Sequence, residues 1–279
     1  MEIPDDNRTT MTTLCEVNDT LHNNLSPDKL STTVSVISCG SGLPLNIYVV
    51  WLIIRGTGSS IESDFFFLNL ALTDILFFTG FLMTPFLRFC PKPLFKATGL
   101  FFAFIATGHP LFQMCICVER YLAVLHPVLF QKYRPLRYRV ACSAIVWVMV
   151  LPSCVLFLLD RNAAAIFWPT VNLIVFPVVI FCCLAVLRAL CKPGPGDRQR
   201  DRAGANQVKV RAFRIIAVIT FTQFIILIAN IISCYARVLE DIQKQLTYDM
   251  TLLIMISAFL VQPLLFLHRA GKLPSRATC

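Results

Sequence analysis

Charge is scarce in this sequence. Only 15% of its 279 residues are Asp, Glu, Lys or Arg, where soluble domains carry roughly a quarter. Polar helix faces are scarce too, because several long apolar stretches have none, and that excludes a soluble helical bundle. Metal-binding spacings are missing. None of the 12 cysteines falls in a CxxC or Cys/His pattern, and of four histidines only His109 lies inside an apolar stretch. Neither a zinc site nor a metal-dependent enzyme is expected, and no motif calls for a cofactor. No inverted repeat is evident, which argues against a transporter. What the chain has in abundance is apolar bulk: 56% hydrophobic residues, among them 23 Phe.

A membrane-spanning helix needs about 20 mostly apolar residues. Seven such stretches can be read, at 34–54, 65–87, 100–123, 140–159, 166–190, 215–233 and 251–267. Short segments rich in Gly, Pro, Ser and charge separate them. Polar groups inside the stretches predict helices packed on one another. The expected fold is all-α, a seven-transmembrane helix bundle at 32–268 between an outer tail at 1–31 and a short cytoplasmic tail at 269–279.

Orientation follows from the basic residues, which concentrate on the cytoplasmic side of membrane proteins. With the N-terminus outside and the C-terminus cytoplasmic, 17 of the 25 Lys and Arg fall inside. Ten acids fall outside, five inside, and Asp74 lies in the membrane. The positive inner face suits anionic membrane lipid and an acidic cytosolic partner rather than nucleic acid. The first thirty residues are polar, without the apolar core of a cleavable signal peptide, so the first helix is expected to direct insertion. Asn7, Asn18 and Asn24 each begin an Asn-x-Ser/Thr sequon. Three on the outer side predict a glycosylated, multi-pass plasma-membrane protein. Of the cysteines, only Cys15, Cys90 and Cys234 lie near the outer surface, which allows one disulfide at most.

The most informative residues are Glu119-Arg120-Tyr121, which end the third stretch and precede Leu-Ala-Val-Leu-His-Pro. An Arg at a membrane helix end stays hydrated at the interface. There it can pair with its Glu neighbour in one state and meet a partner in another. The motif resembles the Glu/Asp-Arg-Tyr of the rhodopsin-like (class A) G-protein-coupled receptors. Further landmarks of that family follow in order over roughly 34–268. They are Gly42 and Asn46, Leu68 through Asp74, Trp147, Phe176-Pro177 and Gln262-Pro263-Leu-Leu-Phe266. The third helix loosely resembles the purinoceptor and lipid-receptor branch.

The resemblance implies a receptor that transduces an extracellular ligand to a heterotrimeric G protein. It assigns coupling to Glu119, Arg120 and Tyr121, with Arg134 and Lys209 in the basic landing surface that also takes in Lys132, Arg137 and Arg139. A polar core would comprise Asn46, Asp74, His109, Gln113, Gln223 and Gln262. In the family the matching Asp lines a sodium pocket. Here His109 stands where a Ser is usual, so an imidazolium can replace sodium beside Asp74. The alternative is a neutral His109 donating to a backbone carbonyl beside Pro110. Gln113 and Gln223 stand where apolar residues are usual and could bond across the third and sixth helices. By register the ligand pocket includes Phe102, Ala106, Asn230, Arg237, Tyr248 and Leu252. Phe102 replaces the Asp of amine receptors, and basic residues at the rim suit a small anionic lipid or nucleotide-like molecule.

Several hallmarks are absent. The second outer loop, at about 160–165, has no Cys for the family disulfide. The sixth helix reads Ile226-Leu-Ile-Ala229 without the kinking Pro. Ala185 and Phe266 replace two tyrosines. These losses keep open a second reading, a non-coupling relative that acts as a decoy or heteromer partner.

Overall fold

The computed structural model describes residues 27–56, 64–87, 92–191, 199–238 and 244–269. The sequons at Asn7, Asn18 and Asn24, with Cys15 and Cys90, lie outside the described residues. So do the side chains of Lys209, Cys234, Arg237, Tyr248 and Leu252.

The described residues form α1 (Pro27–Ile54), α2 (Phe65–Leu87), α3 (Lys92–Leu125), α4 (Pro127–Tyr133), α5 (Leu136–Leu159), α6 (Arg161–Cys191), α7 (Gln199–Val238) and α8 (Lys244–Arg269). Within them, five helices are long and apolar enough to cross a membrane, and Gly40–Ile54 and Ile256–His268 are shorter apolar segments. Together they make an all-helical membrane bundle. Helix α3 is its axis and packs against α2, α5, α6 and α7, while α1 packs on α2 and α8 closes the ring between α7 and α1. The faces turned away from α3 stay apolar: Ile145, Val148 and Met149 on α5 and Leu173, Ile174 and Phe181 on α6 are exposed. In a bilayer such faces meet lipid tails and need no polar cover.

Chain breaks have local causes. Gly56 adopts φ +64° and its N–H donates to the Ile53 carbonyl at 3.1 Å, a left-handed stop for α1 that Gly reaches without strain. Pro127 opens α4 at a position where the missing N–H is not needed. Between α5 and α6 the expected loop shrinks to Asp160 alone, extended at φ −146° and ψ 111°. Its N–H donates to the Leu156 carbonyl, and its own carbonyl accepts from the Ala164 N–H at 3.1 Å. Helix α6 therefore starts before the apolar stretch does. Apolar composition marks where the membrane begins, and the backbone helix continues past it.

Two glycines permit close helix approach. A Cβ on Gly80 would lie 2.5 Å from the Phe101 Cβ, and one on Gly42 would lie 2.3 Å from the ring of Phe78. The Phe101 Cβ cannot swing aside, so Gly80→Ala forces α2 from α3. We expect the thermal midpoint of purified protein to fall for Gly80→Ala and stay unchanged for Gly40→Ala, where the Cβ meets open space. Equal midpoints for the two variants would contradict this packing.

Candidate functional site

A buried polar seam crosses the bundle from α2 to α7. Asp74 is the one charged residue of α2, and its side chain is fully enclosed. His109 reaches it from α3, with Nδ1 2.9 Å from Asp74 Oδ1. One turn further along α3, Gln113 Nε2 lies 2.8 Å from His109 Nε2. The Gln223 amide of α7 then donates to Gln113 Oε1. Asp74, His109, Gln113 and Gln223 are each at most 1% exposed.

Donor and acceptor rules fix the polarity of this chain. Because Gln113 Oε1 accepts from Gln223, its Nε2 is the atom that faces the imidazole. With the amides in this orientation His109 Nε2 accepts and Nδ1 donates to Asp74. An imidazolium would donate from both nitrogens and require both amides to turn over. Asp74 and His109 are thus paired, one of the two arrangements the sequence left open, and the ring does not turn to a backbone carbonyl beside Pro110. The ring also lies 4.4 Å from that of Phe259 on α8.

Asp74 has a second side. Its Oδ2, with Asn46 Oδ1 and both amide atoms of Gln262, finds no hydrogen-bond partner within the protein. These residues line a cavity with Val49, Phe67, Leu70 and Pro263, roomy enough for about one water. The family resemblance implies sodium beside this carboxylate. The residues do not fit a sodium ion with water ligands, since His109 holds Oδ1 and the remaining space is too small. Asn46 Nδ2 bonds back to the Gly42 carbonyl at 2.9 Å. Phe266, where a Tyr is usual, is buried 5.6 Å from the Phe67 ring and brings no hydroxyl.

At the C-terminal end of α3, Glu119 is buried and Arg120 Nη2 stands 4.0 Å from its Oε1. A nearer cation comes from α5: Arg139 Nη2 donates to the same Oε1 at 3.1 Å. Arg139 is 4% exposed, so it does not belong to the open basic surface expected of it, whereas Arg134 and Arg137 are exposed. The signal was present in the sequence. Arg139, Ser143, Val146, Val150 and Ser153 recur at helical spacing and form the buried face of α5. Tyr121 packs on Phe181, and its hydroxyl lies 3.2 Å from His126 Nε2.

Toward the other end, Phe102 and Ala106 do share one cluster, with Ala103, Ala164 and Trp168. The Phe102 ring meets Trp168 edge-on at 4.9 Å, and Trp168 Nε1 donates to Ser153 Oγ at 2.8 Å. Asn230 is half-buried on α7. Sequence reasoning overlooked Trp168 and Asn69. Asn69 Oδ1 accepts from Trp147 Nε1 at 3.1 Å and ties α2 to α5.

Residues 45–165 match the family model described as 7 transmembrane receptor (rhodopsin family). Among curated proteins, the chain is 29% identical to the human S-geranylgeranyl-glutathione receptor over 120 residues, 40% of this chain and 33% of that one. It is 31% identical to the mouse somatostatin receptor type 5 over 42% of this chain and 33% of the relative. The human somatostatin receptor type 3 is 26% identical over 75% of this chain and 57% of the relative. The chain thus spans from a third to just over half the length of these relatives.

Proposed function

We propose that this chain is a rhodopsin-like (class A) seven-transmembrane receptor of the plasma membrane that couples an extracellular ligand to a heterotrimeric G protein. One observation carries the reading: Glu119-Arg120-Tyr121 ends α3 beside an exposed basic rim, with Glu119 held by charge so that Arg120 can serve a partner. Arg134 and Lys209 would extend the landing surface for acidic groups of the G protein. The seam through Asp74, His109, Gln113 and Gln223 would tie α3 to α7 in the resting state. Coupling would require it to open.

The bundle would occupy 32–268, with the glycosylated tail at 1–31 outside and 269–279 in the cytoplasm. The basic-residue bias supports this orientation. Glycosidase should shift the gel mobility of expressed protein, and changing Asn7, Asn18 and Asn24 together to Gln should abolish the shift. A tag at residue 2 detected only after permeabilisation would contradict it.

The ligand would enter above Phe102 and Ala106, where Asn230, Arg237, Tyr248 and Leu252 would complete the pocket by register. Apolar walls under a basic rim suit a small anion with a hydrophobic body. The relative named for S-geranylgeranyl-glutathione binds a molecule of that general kind, which supports the same class here.

The test is ligand-independent nucleotide exchange on purified G-protein heterotrimers of each major class, with wild type beside Arg120→Ala in lipid nanodiscs. Wild type should exceed background with at least one class and Arg120→Ala should not. Equal, background-level exchange by both would favour the decoy or heteromer-partner reading.

A further inference from the structure

Arg139 is a positioning residue in the wrong place for any simpler role. It is the fourth residue of α5, where the positive end of a helix dipole disfavours a cation. It is also buried, so neither lipid headgroups nor a docking protein can reach it. A buried guanidinium persists only where an anion meets it. That anion is Glu119, at 3.1 Å, while Arg120 stands 4.0 Å from the same oxygen. The Ser143 side chain one turn along α5 is neutral, and Tyr121 faces α6 through Phe181 instead.

One carboxylate oxygen is therefore shared by two guanidiniums from different helices, and the inter-helix contact is the shorter. We infer that Arg139 competes with Arg120 for Glu119 and so sets how far Arg120 is released toward the cytoplasmic surface. The competition biases Arg120 toward release by a charge placed on α5. This inference rests on the coupling reading for its consequence, though not for its chemistry. Without Arg139, Glu119 would turn wholly to Arg120 and hold it along α3. A single charge-assisted hydrogen bond is enough to shift such a balance several-fold.

Two measurements on the full chain in nanodiscs test it. Phenylglyoxal modifies free guanidinium groups, and mass spectrometry of the digested protein reads Arg120 and Arg139 separately. Arg139→Gln should slow modification of Arg120 about five-fold, the shift expected of one such bond. Glu119→Gln should raise modification of Arg139 more than that of Arg120, because Arg139 holds the nearer contact. Glu119→Gln also keeps the question answerable should Arg139→Gln not fold. In nucleotide exchange, Arg139→Gln should lower the basal rate by a similar factor, Arg139→Lys should restore most of it, and Arg139→Gln should have no effect once Glu119 is Gln. Unchanged Arg120 labelling in Arg139→Gln, or equal gains at both arginines in Glu119→Gln, would overturn the inference. If exchange is at background for every variant while the labelling follows the expected order, the competition stands and the coupling reading fails.

Discussion

His109→Leu should lower the unfolding free energy of the bundle by about 3 kcal/mol, the upper end of what leaving a buried group without its hydrogen bond costs. The reason lies in what would be left. Asp74 is fully buried, and its Oδ2 already has no partner in the protein. Losing the imidazole takes away the Oδ1 contact as well. Gln113 Nε2 loses its acceptor in the same step, and the Phe259 ring loses a neighbour 4.4 Å away. Leucine has a similar volume, so packing loss is the smaller part. Asp74→Asn is the informative contrast. It keeps an acceptor for the His109 N–H and removes the charge, so the loss should be about 1 kcal/mol. Reversible denaturation in detergent micelles would read both. Equal losses would mean that the pair acts by shape and not by charge.

Gln223→Leu should raise ligand-independent exchange about five-fold, the factor that follows from about 1 kcal/mol of lost clasp. Gln223 is the one seam residue on α7 and donates to Gln113 Oε1. Leucine cannot donate, and Gln113 Oε1 is then buried without a bond, which disfavours the closed arrangement. Once α7 separates, water can reach that oxygen. The penalty therefore falls on the closed bundle alone. Gln113→Leu should act in the same direction but also leave the His109 Nε2 acceptor without its donor, so its thermal midpoint should fall further. A Gln223→Leu rate at or below wild type would show that the clasp does not restrain α7.

Much of this arrangement is legible in the sequence because the bilayer is a strict solvent. Polar groups inside apolar stretches must find each other, so the pairs Asp74–His109 and Gln113–Gln223 could be read from the family resemblance. Their hydrogen-bond polarity could not. It depends on which amide atom faces which ring nitrogen, and that is set across three helices. Arg139 was misplaced for a different reason. A basic residue just before an apolar stretch counts as an interfacial charge in any tally of topology, although its spacing with Ser143, Val146 and Val150 already marked it as inward-facing. The single-residue turn at Asp160 was hidden because Arg161 and Asn162 are polar yet helical. The packing of Phe102 on Trp168 joins α3 to α6 through residues 66 positions apart, and no local pattern encodes it.

The central claim is that the seam holds α7 against α3. The most direct measurement is the distance between spin labels at Val128 on α4 and Val210 on α7, both exposed. They should be carried on unnatural residues so that native cysteines do not react. Double electron–electron resonance in nanodiscs should give one short distribution for wild type. In Gln223→Leu a second, longer population should appear, several ångströms further out. Identical distributions in the two proteins would contradict the account.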